Sequence, residues 1–228
     1  MLDYTKKLRD EFYKHKDEEN AAPMEAYMRN QFPFVGMKSP VRKDVFKQFV
    51  KKHGYPEKEQ LQEAVKELWR MPERELHYAA LGLVDGFLKK LEEKDYELLE
   101  YMIVNKSWWD TIDHIAANHA GKLFRLYPHL LETVGMNWRQ SDNFWLRRTM
   151  ILYQLKYKGD TNVELLKDIV EENLGSKEFF INKAIGWALR EYAKSDPEWV
   201  LNVTTQLALS PLSKREALKN VSSKTIKA

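Results

Sequence analysis

Apolar residues return along the chain at spacings of three and four: Leu76, Ala80 and Leu83; Ile112 and Ile115; Leu146, Met150 and Leu155; Ile181, Ile185 and Leu189. Each set traces one stripe of an amphipathic helix that needs a neighbour to cover it. Ahead of each stripe stands a helix-start residue: Pro72, Ser107, Ser141 and Ser176. Ser213 opens one further run, and the five markers fall 35, 34, 35 and 37 residues apart. Ser39 followed by Pro40 reads as an earlier N-cap with proline at the first helical position. A period near 35 is that of two-helix repeats. Shorter helical stretches at 95–104, 162–174 and 198–209 supply the second helix of each repeat. The expected fold is therefore all-α, an α-solenoid in a single domain over residues 1–228. Capping helices run to about residue 55 and repeats from about 56 onward, and the concave side is the expected binding surface.

Composition agrees with helices. Hydrophobic residues make up 43% and charged residues 31%, with 9 Gly and 8 Pro. There is no Cys, which excludes disulfides and thiolate metal sites and points to a reducing compartment. No stretch approaches the roughly 18 apolar residues of a membrane span, and the opening MLDYTKKLRDEF is amphipathic rather than signal-like. A cytoplasmic protein with no membrane contact is expected. The net charge of +3 does not announce a polyanion partner, so any basic surface must come from placement. No HExxH, P-loop or GxGxxG motif occurs, and the five-residue spacing of His114 and His119 does not place them on one α-helical face. Neither a metal nor a nucleotide cofactor is expected.

The stretch NKSWWDTID, residues 105–113, departs from this plain pattern. With Ser107 as N-cap, Asp110 completes a capping box, and Trp108 shares a core face with Ile112 and Ile115. Trp109 instead shares its face with Asp113, and the small residues Ala116 and Ala117 that follow would leave ring and carboxylate accessible. In SKEFFINKAIGWALREYAK, residues 176–194, a second stripe carries Lys183, Trp187, Arg190 and Lys194. Arg148 holds the offset of Lys183 one repeat earlier, and Lys156 lies eight residues beyond it. Read singly, each tryptophan packs and each cation solubilises its helix. Repeated at one offset, they form a cationic groove with aromatic faces, suited to a phosphate backbone. A lone carboxylate in that groove repels phosphate and so implies a role for Asp113. On this reading, an Asp113 carboxyl buried in an internal ion pair, or set on the outer convex surface, would end the enzymatic interpretation and leave only the architecture.

KSWWDTID, SDNFWLRR, QLKYK, SKEFFINKAIGWALREYAK and PLSKREA together resemble the AlkD family of bacterial alkylpurine DNA glycosylases, over about residues 20–220. The resemblance implies a right-handed, C-shaped stack of HEAT-like repeats that cups duplex DNA as a monomer. It implies release of N3- and N7-alkylated purines such as 3-methyladenine and 7-methylguanine, without rotation of the base out of the stack. Trp109, Asp113 and Trp187 match the family's catalytic motif, and Arg148 and Arg190 its DNA-contacting arginines. Tyr27 and Phe180 match aromatic positions near the lesion, and Lys156 a further DNA contact. Lys183 and Lys194 join these on the basic stripe. Ser39 and Lys43 stand where the family is associated with Thr and Arg, and Lys lacks the bidentate phosphate grip of Arg. The alternative function is a non-catalytic helical-repeat scaffold that binds protein or DNA on the same face.

Overall fold

The structure, a computed structural model, describes residues 1–219 and 221. Residues 222–228, the end of the expected repeat array, lie outside them. All regular structure among the described residues is helical. The chain forms two compact units, Met1–Leu91 and Glu92–Ala228, where the sequence reading draws one continuous array.

The first unit holds α1 (Asp3–Tyr13), α2 (Glu18–Tyr27), α3 (Ser39–His53), α4 (Lys58–Arg70) and α5 (Arg74–Gly86). Its polar anchor is Glu75, fully buried, whose carboxylate accepts the backbone N–H groups of Val35, Gly36 and Met37 at 2.9, 2.9 and 3.0 Å. Three donors satisfy a charge that burial would otherwise make costly, and they fix the segment leading into α3. Gly36 is required there: its φ is +98°, and a Cβ would lie 1.9 Å from the Asp17 carbonyl oxygen.

The second unit holds α6 (Tyr96–Val104), α7 (Trp109–His114), α8 (Gly121–Leu126), α9 (Val134–Arg139), α10 (Phe144–Leu152), α11 (Val163–Glu172), α12 (Phe179–Tyr192), α13 (Pro197–Gln206) and α14 (Pro211–Leu218). A π-helical turn, Ile115–Ala120, joins α7 to α8. Helices α7, α10 and α12 start at Trp109, Phe144 and Phe179, in equal steps of 35. α10 packs against α7 and α12, and α12 packs against α14. The apolar stripes lie in the interiors of the separate units: Leu76, Ala80 and Leu83 are buried in the first, and Ile112, Ile115, Leu146, Met150, Ile181, Ile185 and Leu189 in the second. Leu155 is only half-buried, because α10 ends at Leu152 and the chain turns before the next helical position.

Ser141 and Ser176 lie near helix starts, but their hydroxyls act two residues ahead of the N-cap. Ser141 Oγ accepts the N–H of Asn143 (3.1 Å), and Asn143 is the true cap, accepting from Trp145 N (2.9 Å). Ser176 Oγ likewise accepts from Glu178 N at 3.2 Å, with Glu178 in the cap position of α12. These short side-chain turns bend the chain into the helix and leave the cap to a later residue. Ser210, not Ser213, caps α14. Ser39 falls inside α3 and Lys38 takes its cap position.

Candidate functional site

Ser107 belongs to the end of α6, not the start of α7: its hydroxyl donates to the Ile103 carbonyl (2.6 Å). Trp108 therefore takes the cap position of α7 in an extended conformation, with no side chain capping the helix, so the expected Ser107–Asp110 capping box is not formed. Asp110 still lies in the first turn, at the positive end of the helix dipole. Trp108 is half-buried, whereas Ile112 and Ile115 are fully buried. The Trp108 ring packs on Phe180 (centroids 5.3 Å) and Trp145 (6.1 Å). Phe144 lies parallel to Phe180, with 3° between the rings, and Phe179, 53% exposed, meets Phe180 edge-on. Five aromatic residues from the starts of three successive repeats thus form one cluster.

Beside this cluster sits Asp113, at the last turn of α7. Arg148 Nε donates to Asp113 Oδ1 at 2.8 Å, and the second terminal nitrogen donates to Oδ2 at 3.0 Å. The remaining terminal nitrogen donates to the Phe180 carbonyl. One guanidinium therefore ties α7 and α10 to the first turn of α12. The Arg148 side chain is 4% exposed and that of Asp113 16%. Burial pushes the Asp113 carboxyl above the ordinary aspartate range, the charge and hydrogen bonds of Arg148 oppose that shift, and the charge of Asp110 adds to it.

Two expectations change here. Asp113 is not a lone anion but one half of a bidentate, largely buried ion pair, the circumstance under which the sequence-based expectation of catalysis by a lone anion fails. Arg148 is not in the exposed ladder of cations, because its planar fork is committed to Asp113 and to a backbone carbonyl. The shared offset with Lys183 is real in sequence, but Arg148, the fifth and middle residue of a nine-residue helix packed on both sides, points inward.

Trp109 is the first residue of α7 and Trp187 lies in the middle of α12, both half-buried. Seven residues after Phe180, Trp187 shares its helix face, with Lys183 between them and Arg190 one turn beyond. Glu216 of α14 receives both cations, from Lys183 Nζ at 2.8 Å and Arg190 at 2.7 Å. The hydrogen bond from Lys183, with that from Arg190, holds the Glu216 carboxyl down at about 2, against the opposing effect of burial. Lys194 pairs on the surface with Glu191 of its own helix (2.7 Å).

Lys156 is exposed, and its Nζ donates to Asn118 Oδ1. Asn118 sits in the π-helical turn and donates from Nδ2 to the His114 carbonyl (2.9 Å). The same turn brings His114 and His119 to a centroid distance of 5.1 Å. The five-residue spacing that separates them on an α-helix aligns them on a π-helix. In the first unit Ser39 and Lys43 are exposed on α3, and Tyr27 is 71% exposed at the end of α2. Sequence reasoning missed Glu216, Asn118 and the bridging carbonyl of Phe180. Only Glu216 left a signal, a single acidic residue inside the quoted PLSKREA.

Residues 8–221 match the family described as DNA alkylation repair enzyme. The chain belongs to the DNA alkylation repair enzyme family. This alkylation repair enzyme is also similar to a solved structure, the predicted DNA alkylation repair enzyme from Enterococcus faecalis. The two share 35% identity with a TM-score of 0.84, over 92% of this chain and 98% of that one. No curated protein matches it. The resemblance carried by KSWWDTID and the other motifs is thus to a family in which the chain belongs. Among the described residues of the enzyme, no helix is long and apolar enough to cross a membrane.

Proposed function

We propose that this DNA alkylation repair enzyme is a monofunctional DNA glycosylase. It acts as a monomer on duplex DNA, releasing cationic N3- and N7-alkylated purines such as 3-methyladenine and 7-methylguanine, and leaves an abasic site. Alkylation gives the purine a positive charge, so the base leaves as a neutral molecule when the bond from C1′ to nitrogen breaks and nitrogen keeps the electron pair. No general acid is needed. The sugar acquires oxocarbenium character, and the oxygen of water then bonds to C1′ while one proton passes to solvent or to a carboxylate.

The observation that carries this reading is the Asp113 carboxylate, fixed by Arg148 and edged by an aromatic cluster. The pair is compatible with chemistry because each carboxylate oxygen has two lone pairs and the fork takes one from each. The other lone pairs remain for the sugar cation or the attacking water. A carboxylate that must stay ionised in a water-poor place also needs a nearby positive charge, and Arg148 supplies it as a positioning residue. A fixed anion next to a developing cation is preorganised electrostatic stabilisation. Trp109 and Trp187 offer ring faces to the same charge, worth about 0.5 to 2 kcal/mol each. One carboxylate cannot serve as both acid and base, which suits a lesion that leaves without protonation. On the second unit Arg190, Lys183, Lys194, Lys156 and Phe180 are the proposed DNA contacts; on the first unit, taken by itself, they are Tyr27, Ser39 and Lys43. The base stays in the stack, since chemistry directed at the sugar does not require a pocket for the base.

The test is single-turnover release of 7-methylguanine from a defined duplex. The wild type releases the base, whereas Asp113→Asn keeps its duplex affinity and slows about a hundredfold, the loss of roughly 3 kcal/mol expected for one preorganised group. Release by that variant at the wild-type rate overturns the assignment. Duplex binding by the wild type without release of any cationic purine favours the scaffold instead.

A further inference from the structure

The basic stripe of α12 is held by a residue from another helix, and how it is held suggests a specific task. α12 and α14 approach closely at Gly186, where a Cβ would lie 2.5 Å from Glu216 Cβ and 2.8 Å from the Ser213 carbonyl oxygen. Ser213 fastens the crossing by donating its hydroxyl to the Asn182 carbonyl at 2.8 Å. This contact sets Glu216 opposite the gap between Lys183 and Arg190, two helical turns apart, and the carboxylate bonds one with each oxygen. The Glu216 side chain is 11% exposed, while Lys183 and Arg190 keep 40% and 22%. The acid is therefore inside and the two cations outside. Each cation bonds Glu216 through one nitrogen and, being partly exposed, keeps further donors for a ligand, with Trp187 on the same helix face between them.

We propose that Glu216 is a positioning residue that aims Lys183 and Arg190 as a two-pronged clamp on the phosphodiester backbone flanking the nucleotide whose sugar lies against Trp187. It rests on the glycosylase reading for the identity of that nucleotide, but not for the clamp itself. A Lys and an Arg free in solvent each lose rotamer freedom when they bind phosphate, and a shared buried carboxylate removes that loss beforehand. The arrangement has an electrostatic drawback, since one negative charge is kept beside two positive ones at a polyanion site. Preorganisation and attraction therefore pull the consequences of removing Glu216 in opposite directions, which makes them separable by salt.

The experiment is the salt dependence of binding to an undamaged duplex, measured for the full chain, Glu216→Gln and Glu216→Asp. Glu216→Gln uncovers one cation, so its slope of log affinity against log salt steepens by about one. It binds more tightly than wild type at low salt and about three- to tenfold more weakly at high salt, where lost preorganisation is all that remains. The two lines cross. Glu216→Asp keeps the charge but draws the carboxylate back, so it weakens binding at high salt without a change of slope. It also serves if Glu216→Gln fails to fold. Lines that never cross, with Glu216→Gln tighter throughout, reduce Glu216 to a screening charge and overturn the proposal. Unchanged binding with a lowered melting temperature reduces it to packing and also overturns it. Release of 7-methylguanine is followed on the same proteins: absence of release by the wild type refutes the glycosylase reading alone, since the crossing is read on undamaged DNA.

Discussion

Arg148 lies edge-on to Asp113, with its Nε and one terminal nitrogen 2.8 and 3.0 Å from the two carboxylate oxygens, and has 4% of its side chain exposed. An arginine placed in this way acts through its partner. Arg148→Ala leaves a largely buried carboxylate without its counter-charge, and the expected destabilisation is roughly 3 kcal/mol. Arg148→Lys keeps the charge but not the fork, so it should fold close to wild type while excision falls, because Asp113 is no longer held at both oxygens. Neither change should alter the salt slope of undamaged-duplex binding. Chemical denaturation and a salt titration check this. A slope lowered by about one at unchanged stability would instead make Arg148 an exposed phosphate contact.

The pH profile of excision follows from the same pair. Burial raises the Asp113 carboxyl above its ordinary value of 3.8, and only the ionised form can face a sugar cation. Single-turnover release should therefore fall on the acid side with a midpoint above 3.8. No matching loss is expected toward neutral pH, because the lesion needs no proton donor. Asp113→Asn should abolish the acid limb together with most of the rate. A wild-type rate that stays flat to below pH 3.8 would remove Asp113 from the chemistry.

Much of the fold is legible in sequence because helix stripes and repeat spacing are local properties. The stripes named from spacing are buried, apart from Leu155, which lies just past a helix end that the pattern did not mark. The two quoted stretches NKSWWDTID and SKEFFINKAIGWALREYAK also meet in the fold, through Trp108 against Phe180 and through Arg148 between Asp113 and the Phe180 carbonyl. The partners are what periodicity could not supply. Arg148 and Lys183 share an offset, yet one is enclosed between α7 and α12 and the other projects at the edge of α12 beside α14. Which of them meets water depends on the neighbouring helix. The π-helical turn was invisible for a related reason: a count of five assumes α geometry, and one added residue per turn reverses its meaning for His114 and His119.

Gly186 offers a test of the α12–α14 crossing that leaves every charge in place. Its missing Cβ would meet a backbone carbonyl oxygen at 2.8 Å as well as the Glu216 side chain, so the helices cannot accommodate alanine without separating. Gly186→Ala gains helix propensity of roughly 1 kcal/mol in isolation. Overpacking costs about 1–3 kcal/mol and should prevail. The expected result is a lower melting temperature, together with the same loss of high-salt duplex affinity as is expected for Glu216→Asp. A Gly186→Ala protein more stable than wild type would show that the close approach is not tight.

Glu216 and Asp113 should bend the stability of the protein in opposite directions as acid is added. The folded value of Glu216 is about 2 against 4.5 for an ordinary glutamate, so the folded state favours its ionised form. Its contribution is complete above pH 4.5 and is lost as pH falls from there through about 2, because the unfolded chain takes up the proton first. Asp113 has a raised folded value, so the folded state holds its proton more tightly and stability rises as pH falls toward the ordinary value of 3.8. Subtracting Glu216→Gln from wild type isolates the first effect, since Asp113 is common to both. The difference in unfolding free energy, from urea titrations, should be constant between pH 5 and 7 and then shrink steadily toward about pH 2. A difference that stays constant down to pH 2.5 would mean that Lys183 and Arg190 do not hold this carboxylate in solution.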